Sequence, residues 1–373
     1  MTAATVAPRT ASPEALSAMR ALSSRFFRRG LIIALIGGAL YGLYSAFLSQ
    51  GMSVGAWGKW YAEDQHVLTA FTVVYVLGML GSGVNDLISA LWMVGIAGVK
   101  GKLADVLRCV RTKPGAVMAI CAVIGGPIAN GAYIIALQMV GPVAAAITAL
   151  CPAIGAIIGR ILFKQPLNLR MMTGIAICFA AALLTSVEAF GGVTIDWRFL
   201  LGLAIAFIAA LGWGIEGAVA GFGTSVLDYE IAIAIRQTVS GLSTLVLAVP
   251  ILALFAGRLA LAPELTWAAL TSGPSLPWFL LSGLCAGMSF GLWYKGNSMC
   301  GAALGMACNA TYAFFVPLFC WLLLGLILHQ PGWSMSPLNW VAALLMIIGI
   351  FLIAVNPVTF VRDLLGRNQA TEV

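Results

Sequence analysis

The sequence predicts an all-α integral membrane protein of ten transmembrane helices, arranged as two inverted five-helix repeats. Three observations lead there. Of 373 residues, 61% are hydrophobic and only 9% charged, whereas a soluble domain carries about 25% charged side chains. The apolar residues fall into ten runs, most of them near the roughly 20 residues that one spanning helix needs. Residues of the first five runs also recur at regular offsets in the second five. A mean hydropathy of +1.01 excludes soluble enzymes, nucleic-acid-binding proteins and disordered chains. The net charge of +7 reads as basic loops at a membrane surface, not as a nucleic-acid face.

Taken in order, residues 1–28 are rich in Ala, Ser and Thr, with Arg9, Arg20 and Arg25 and the single acid Glu14. They read as a disordered cytoplasmic tail; the same composition also occurs in organelle transit peptides. Arg28 and Arg29 lead straight into the first run, so no cleavable signal peptide is expected. The runs are 30–50, 70–98, 114–136, 142–163, 170–187, 199–222, 229–256, 277–297, 302–327 and 338–357. The second begins near His66 and is too long for one perpendicular span, so Gly78, Gly81 and Gly83 predict a tilt or a break. Gly125-Gly126-Pro127 breaks the third run, and Pro152 and Pro317 interrupt the fourth and ninth. Loops are short, which makes neighbouring helices antiparallel. The domains expected are a first repeat over 29–190, a second over 191–357 and a cytoplasmic tail over 358–373.

Basic residues set the orientation. With the N-terminus inside, fifteen lie in the cytoplasm, among them Lys100, Lys102, Arg108, Arg111, Lys113, Arg160, Lys164 and Arg170. Only Lys59, Arg198 and Arg258 fall outside. This is the positive-inside bias of a plasma-membrane protein with both termini cytoplasmic. The repeat rests on pairs 165 residues apart, such as Gly126 with Gly291, Pro152 with Pro317 and Gln165 with Gln330. Tyr41-Gly42 pairs with Trp213-Gly214 at 172, and Asn85-Asp86 with Arg236-Gln237 at 151. Five helices per half is an odd number, so the second copy enters the membrane inverted, as in secondary transporters with midplane substrate sites.

Ionisable residues at bilayer depth are costly and mark function or pairing. Asp86, Glu216 and Arg236 are the clear cases; Lys295 sits late in the eighth run, where it can reach the cytoplasmic surface. Tyr41, Tyr44 and Ser45 share one helix face by their i, i+3, i+4 spacing, as do Trp213, Glu216 and Gly217. Asn130 with Tyr133, and Asn309 with Tyr312, stand at i, i+3. Two carboxylates, one arginine and several Tyr and Trp rings describe a cavity for a cation, because aromatic faces attract ammonium groups by about 0.5–2 kcal/mol each when desolvated. The expected substrate-binding set is Tyr41, Tyr44, Asp86, Asn130, Trp213, Glu216, Asn309 and Tyr312. Glu216 should face the cavity beside Trp213. Arg236 should neutralise Asp86, with Gln237 beside it. A competing reading leaves the three charges as a structural pair with the aromatics as packing. The eight cysteines show no CxxC spacing and only His66 and His329 accompany them, so no metal site or cofactor is expected. Gly283, Gly287 and Gly291 carry small-xxx-small spacing, and a monomer or a homodimer is open.

The fourth and ninth runs, GPVAAAITALCPAIGAIIGRILFKQPLN and CNATYAFFVPLFCWLLLGLILHQP, are Gly/Ala-rich with a central proline and a short polar turn after them. In this the chain resembles ten-helix members of the drug/metabolite transporter superfamily over nearly 30–357. Many relatives carry glutamate where Gln165 and Gln330 stand. Asn85-Asp86 with Ser89, Gly126-Pro127-Ile128, Trp213-Gly214-Ile215-Glu216, Ile235-Arg236-Gln237 and Asn309 with Tyr312 are most similar to the bacterial choline-transporting branch that feeds phosphocholine decoration. There Tyr41 replaces an expected tryptophan. The resemblance implies an aromatic box formed by Tyr41, Trp213, Glu216 and Tyr312. The function expected is therefore secondary transport of choline or a similar small organic cation across a bacterial cytoplasmic membrane, driven by membrane potential and optionally by protons. A drug or metabolite exporter of the same fold is the alternative. An enzyme is not expected, since the loops hold no polar catalytic cluster.

Overall fold

The computed structural model describes residues 13–62, 68–140, 143–164, 168–190 and 196–354. His66, Gln165, residues 1–12 of the first expected tail and all of the 358–373 tail lie outside the described residues. Within them every regular element is a helix. Seven stretches are long and apolar enough to cross a membrane: Arg25–Gly51, Thr72–Val99, Lys113–Leu137, Trp197–Gly223, Tyr229–Phe255, Leu276–Cys300 and Leu304–Ile327. Shorter apolar helices occupy Cys151–Phe163, Leu169–Leu184 and Pro337–Gly349. Leu91, Ile161, Val246, Phe255, Leu344 and Ile347 are all exposed on the outside. A soluble monomer does not show so much apolar surface; the chain is an all-α membrane protein.

The first helix, α1 (Pro13–Gly51), is longer than the sequence predicts. Residues 13–28, expected as disordered tail, continue it N-terminally. Helix α2 (Gly55–Ala62) follows, with Trp57 buried and stacked on Phe279 at 5.4 Å. The second run forms a π-helical Thr72–Val76 and then α3 (Leu77–Val99). The predicted break therefore precedes Gly78, and the three glycines lie in regular helix, where their bare faces admit Ile134, Met52 and Leu245. A short α4 (Leu103–Val110) lies in the basic loop, ahead of α5 (Lys113–Val123), whose Thr112 cap accepts from the Gly115 N–H. The expected Gly-Gly-Pro break is a π-helical Ile124–Asn130, continued by α6 (Gly131–Val140). The wider turn accommodates Pro127, which would clash inside a regular helix.

The fourth run divides into α7 (Val143–Thr148) and α8 (Cys151–Phe163), with Pro152 in the first turn of α8. Helices α9 (Leu169–Phe190) and α10 (Trp197–Gly223) follow, the latter capped by Asp196. Next come α11 (Tyr229–Ser243), a π-helical Thr244–Ala248 and α12 (Val249–Phe255). Helix α13 (Leu261–Leu270) packs near α2 and α3, and α14 (Leu276–Cys300) returns through the core against α1, α3 and α10. The ninth run gives α15 (Ala302–Asn309), α16 (Tyr312–Cys320) and a π-helical Trp321–Ile327. Its break follows Asn309, while Pro317 sits inside α16. Helix α17 (Pro337–Ala354) packs on α9. All eight cysteines are free and buried.

Close approach needs missing side chains at two places. A Cβ on Gly42 of α1 would overlap the backbone of Phe315, so α1 and α16 touch main chain to main chain. A Cβ on Gly125 would occupy the space of the Glu216 carboxylate.

Candidate functional site

Three ionisable side chains meet at the centre of the bundle, from α3, α10 and α11. Arg236 Nε donates to Glu216 Oε1 at 2.8 Å and Nη2 to Oε2 at 3.4 Å. Its Nη1 lies 3.5 Å from Asp86 Oδ2 and donates to Gln237 Oε1 at 2.5 Å. Exposure is 0% for Glu216 and Arg236 and 2% for Asp86. Neutral groups complete the shell. The Tyr294 hydroxyl donates to Glu216 Oε1 at 2.5 Å, the Ser240 hydroxyl to Asp86 Oδ2 at 2.5 Å, and Gln237 Nε2 to the Ser89 hydroxyl at 2.6 Å. Asn85 accepts from Ser282 at 2.6 Å. The wide Ile124–Asn130 turn supplies the wall: Gly125 faces the Glu216 carboxylate and Gly126 the Ser240 hydroxyl.

The charge pairing corrects the expectation. Arg236 is held first by Glu216, at 2.8 Å, and only second by Asp86, at 3.5 Å, although α11 packs more extensively on α3 than on α10. Glu216 does not line the cavity beside Trp213; it turns toward Arg236, Tyr294 and Gly125 instead.

Next to this cluster lies a small cavity of about 20 Å³, lined by Tyr41, Cys151, Trp213, Ser289, Phe290, Trp293, Asn309 and Tyr312. The rings nearly close on one another. Tyr41 and Tyr312 have centroids 4.5 Å apart, and Tyr41 packs edge-on against Tyr44 at 4.6 Å. Phe290 belongs to both regions. It lines the cavity and carries the Arg236 guanidinium over its ring at 4.0 Å. The Trp213 indole N–H donates to Asn130 Oδ1 at 2.9 Å and to the Gly125 carbonyl at 3.2 Å. By contrast the Trp293 indole N–H and Asn309 Oδ1 are buried without a hydrogen-bond partner. Buried polar atoms are rarely left so without a reason.

The structure thus brings Tyr41, Trp213, Asn309 and Tyr312 to one cavity. Tyr44 and Asn130 stand behind it, buttressing Tyr41 and Trp213. Asp86, Glu216, Arg236 and Gln237 form the adjacent cluster. Ser89, Ser240, Phe290, Trp293 and Tyr294 join the site without having been expected. Within apolar runs such residues look like ordinary packing; only the i, i+3, i+4 spacing of Phe290, Trp293 and Tyr294 on α14 marks a shared side.

At one end of the bundle, Lys100 Nζ pairs with Glu230 at 2.5 Å, and Lys102 Nζ with Asp228 and Glu230 at 2.6 Å each. The hydrogen bonds that Lys102 Nζ donates to Asp228 and Glu230 hold its ammonium well above the ordinary lysine range. Lys295 lies over the Tyr229 ring at 4.3 Å, near this end.

No family model matches the sequence, and no curated protein matches it. One solved structure, described only as "Crystal structure of protein", superposes with a TM-score of 0.61 at 14% identity. The match covers 87% of this chain and 97% of that one. Likeness at this level concerns the fold alone: the path of the helices is one that other chains also follow.

Proposed function

We propose that the chain is a secondary transporter that carries a small organic cation, of the choline type, across a cytoplasmic membrane by alternating access. One observation carries this reading. Two buried carboxylates face one buried guanidinium, beside a cavity walled by Tyr and Trp rings. The cluster is short of one positive charge when both carboxylates are ionised. A cation in the aromatic cavity, or a proton on Asp86 or Glu216, supplies it. Aromatic walls favour an ammonium group and give little to a neutral sugar.

The reading includes ten spans, the three shorter apolar helices being the remaining members. It also includes an inverted repeat of 29–190 on 191–357, both termini in the cytoplasm, and membership of the drug/metabolite transporter superfamily. Antiparallel neighbours support the topology: Lys100 and Lys102 meet Asp228 and Glu230 at one end, while Gln50 meets Gln330 at 2.7 Å in a separate contact. The closed rings mean that a ligand enters only when Tyr41 and Tyr312 part, as alternating access requires. The test is a thermal-stability screen of purified protein, followed by uptake into proteoliposomes. Choline and related quaternary amines should raise the melting temperature and be taken up under an inside-negative potential. Stabilisation by neutral sugars with none by amines overturns the substrate class; efflux against the potential favours the exporter.

A further inference from the structure

Helix α4 was expected only as loop. Its eight residues divide among three environments. Val106 and Cys109 are buried against α5 and α11. Asp105 and Arg108 form an exposed ion pair at 2.7 Å. Leu103, Leu107 and Val110, at i, i+4 and i+7, are 42%, 64% and 48% exposed. They make a third strip of the helix that neither the protein core nor water explains. Directly after this strip stand Arg111 and Lys113, both exposed, and neither forms an ion pair among the described residues. Val117, Ile120 and Val123 of α5 continue the exposed apolar surface into the span.

A helix with a core side, an apolar side and a charged side suits the membrane surface, where the apolar side meets acyl chains and basic residues meet headgroups. α4 lies where that surface must be, between the ends of the spanning stretches Thr72–Val99 and Lys113–Leu137. We propose that α4 lies in the plane of the membrane surface, with Leu103, Leu107 and Val110 in the acyl boundary. Arg111 and Lys113 then bind the phosphates of anionic lipids. Charge complementarity selects the occupant: each basic residue near an anionic lipid surface strengthens attachment about fivefold, the equivalent of about 1 kcal/mol. The site bears on the interior through α11, which packs on α4 and carries Arg236.

The inference stands apart from transport and is tested without it. In nanodiscs, amide exchange of residues 103–110 should be slow in phosphatidylcholine and slower still when phosphatidylglycerol is included. Native mass spectrometry should retain phosphatidylglycerol over phosphatidylcholine, and Arg111→Gln with Lys113→Gln should lower that preference by an order of magnitude or more. Leu107→Ser, which keeps both cations, should speed exchange of 103–110 in both lipids. Exchange over 103–110 as fast as in a water-exposed loop overturns the in-plane placement and leaves the strip to a protein partner. Unchanged lipid preference in the folded double variant overturns the headgroup site.

Discussion

The charge cluster and the aromatic cavity share Phe290 yet are finished to different degrees. Around Asp86, Glu216 and Arg236, side chains from α3, α10, α11 and α14 supply donors and acceptors at 2.5–3.5 Å. In the cavity, the Trp293 N–H and Asn309 Oδ1 have no partner, and space remains between the rings. The difference separates two roles that one polar interior would otherwise merge. The cluster has its hydrogen bonds made within the protein and sets the local charge. The cavity keeps polar atoms that no protein group satisfies.

The largest expected effect breaks the cluster. Arg236→Ala strands two carboxylates, and removal of one partner from a buried ion pair costs about 3–5 kcal/mol. Folded yield in detergent should fall sharply. Glu216→Gln should restore more of it than Asp86→Asn, because Glu216 holds the arginine at 2.8 Å and Asp86 at 3.5 Å. The opposite order of rescue would show that Asp86 is the main partner.

A smaller effect compares the two indoles. Trp213→Phe removes an N–H that Asn130 and Gly125 both use, at a cost of about 1 kcal/mol in thermal stability. Trp293→Phe removes an N–H that nothing uses, so stability should hold within about 0.5 kcal/mol. Amine binding should nevertheless weaken several-fold, since tryptophan is the best cation–π partner. Equal loss of stability in both variants would erase the contrast between finished and unfinished regions.

The smallest effect lies at the bundle end. Lys102→Gln removes partly exposed pairs, worth about 1 kcal/mol at most and less in high salt. Because the Lys102 pKa is raised by folding, its contribution is full below the unfolded value of about 10.4 and is lost above it. Melting curves of wild type and variant should stay parallel from pH 5 to 9 and converge only in stronger alkali. A difference that shrinks between pH 6 and 8 would point to another titrating group.

Much of this was legible from residues. Asp86, Glu216 and Arg236 stood out because a charge within an apolar run has no other explanation, and the runs themselves marked the spans. Pairing distances were not legible: i, i+3 spacing put Glu216 on the side of Trp213, but only the approach of α11 and the bare face of Gly125 turned its carboxylate away. The spacing of Phe290, Trp293 and Tyr294 marks only a shared helix side, because aromatic residues in lipid-crossing helices serve equally as packing. α2, α4 and α13 escaped because helices of eight to ten residues are shorter than a span and mix polar with apolar residues. The start of α1 at Pro13 escaped because Ala, Ser and Arg composition fits coil and helix alike.

The burial of all eight thiols makes the natural chain its own blank for chemical labelling. A water-soluble maleimide that cannot cross the bilayer finds no native sulfhydryl on the folded surface to react with. A single cysteine introduced at exposed Ser225, beyond α10, or at exposed Gly273, before α14, is then the sole reporter, and the pair marks opposite ends of the bundle. Sidedness can be read in intact cells without first stripping the protein of residues on which its packing depends.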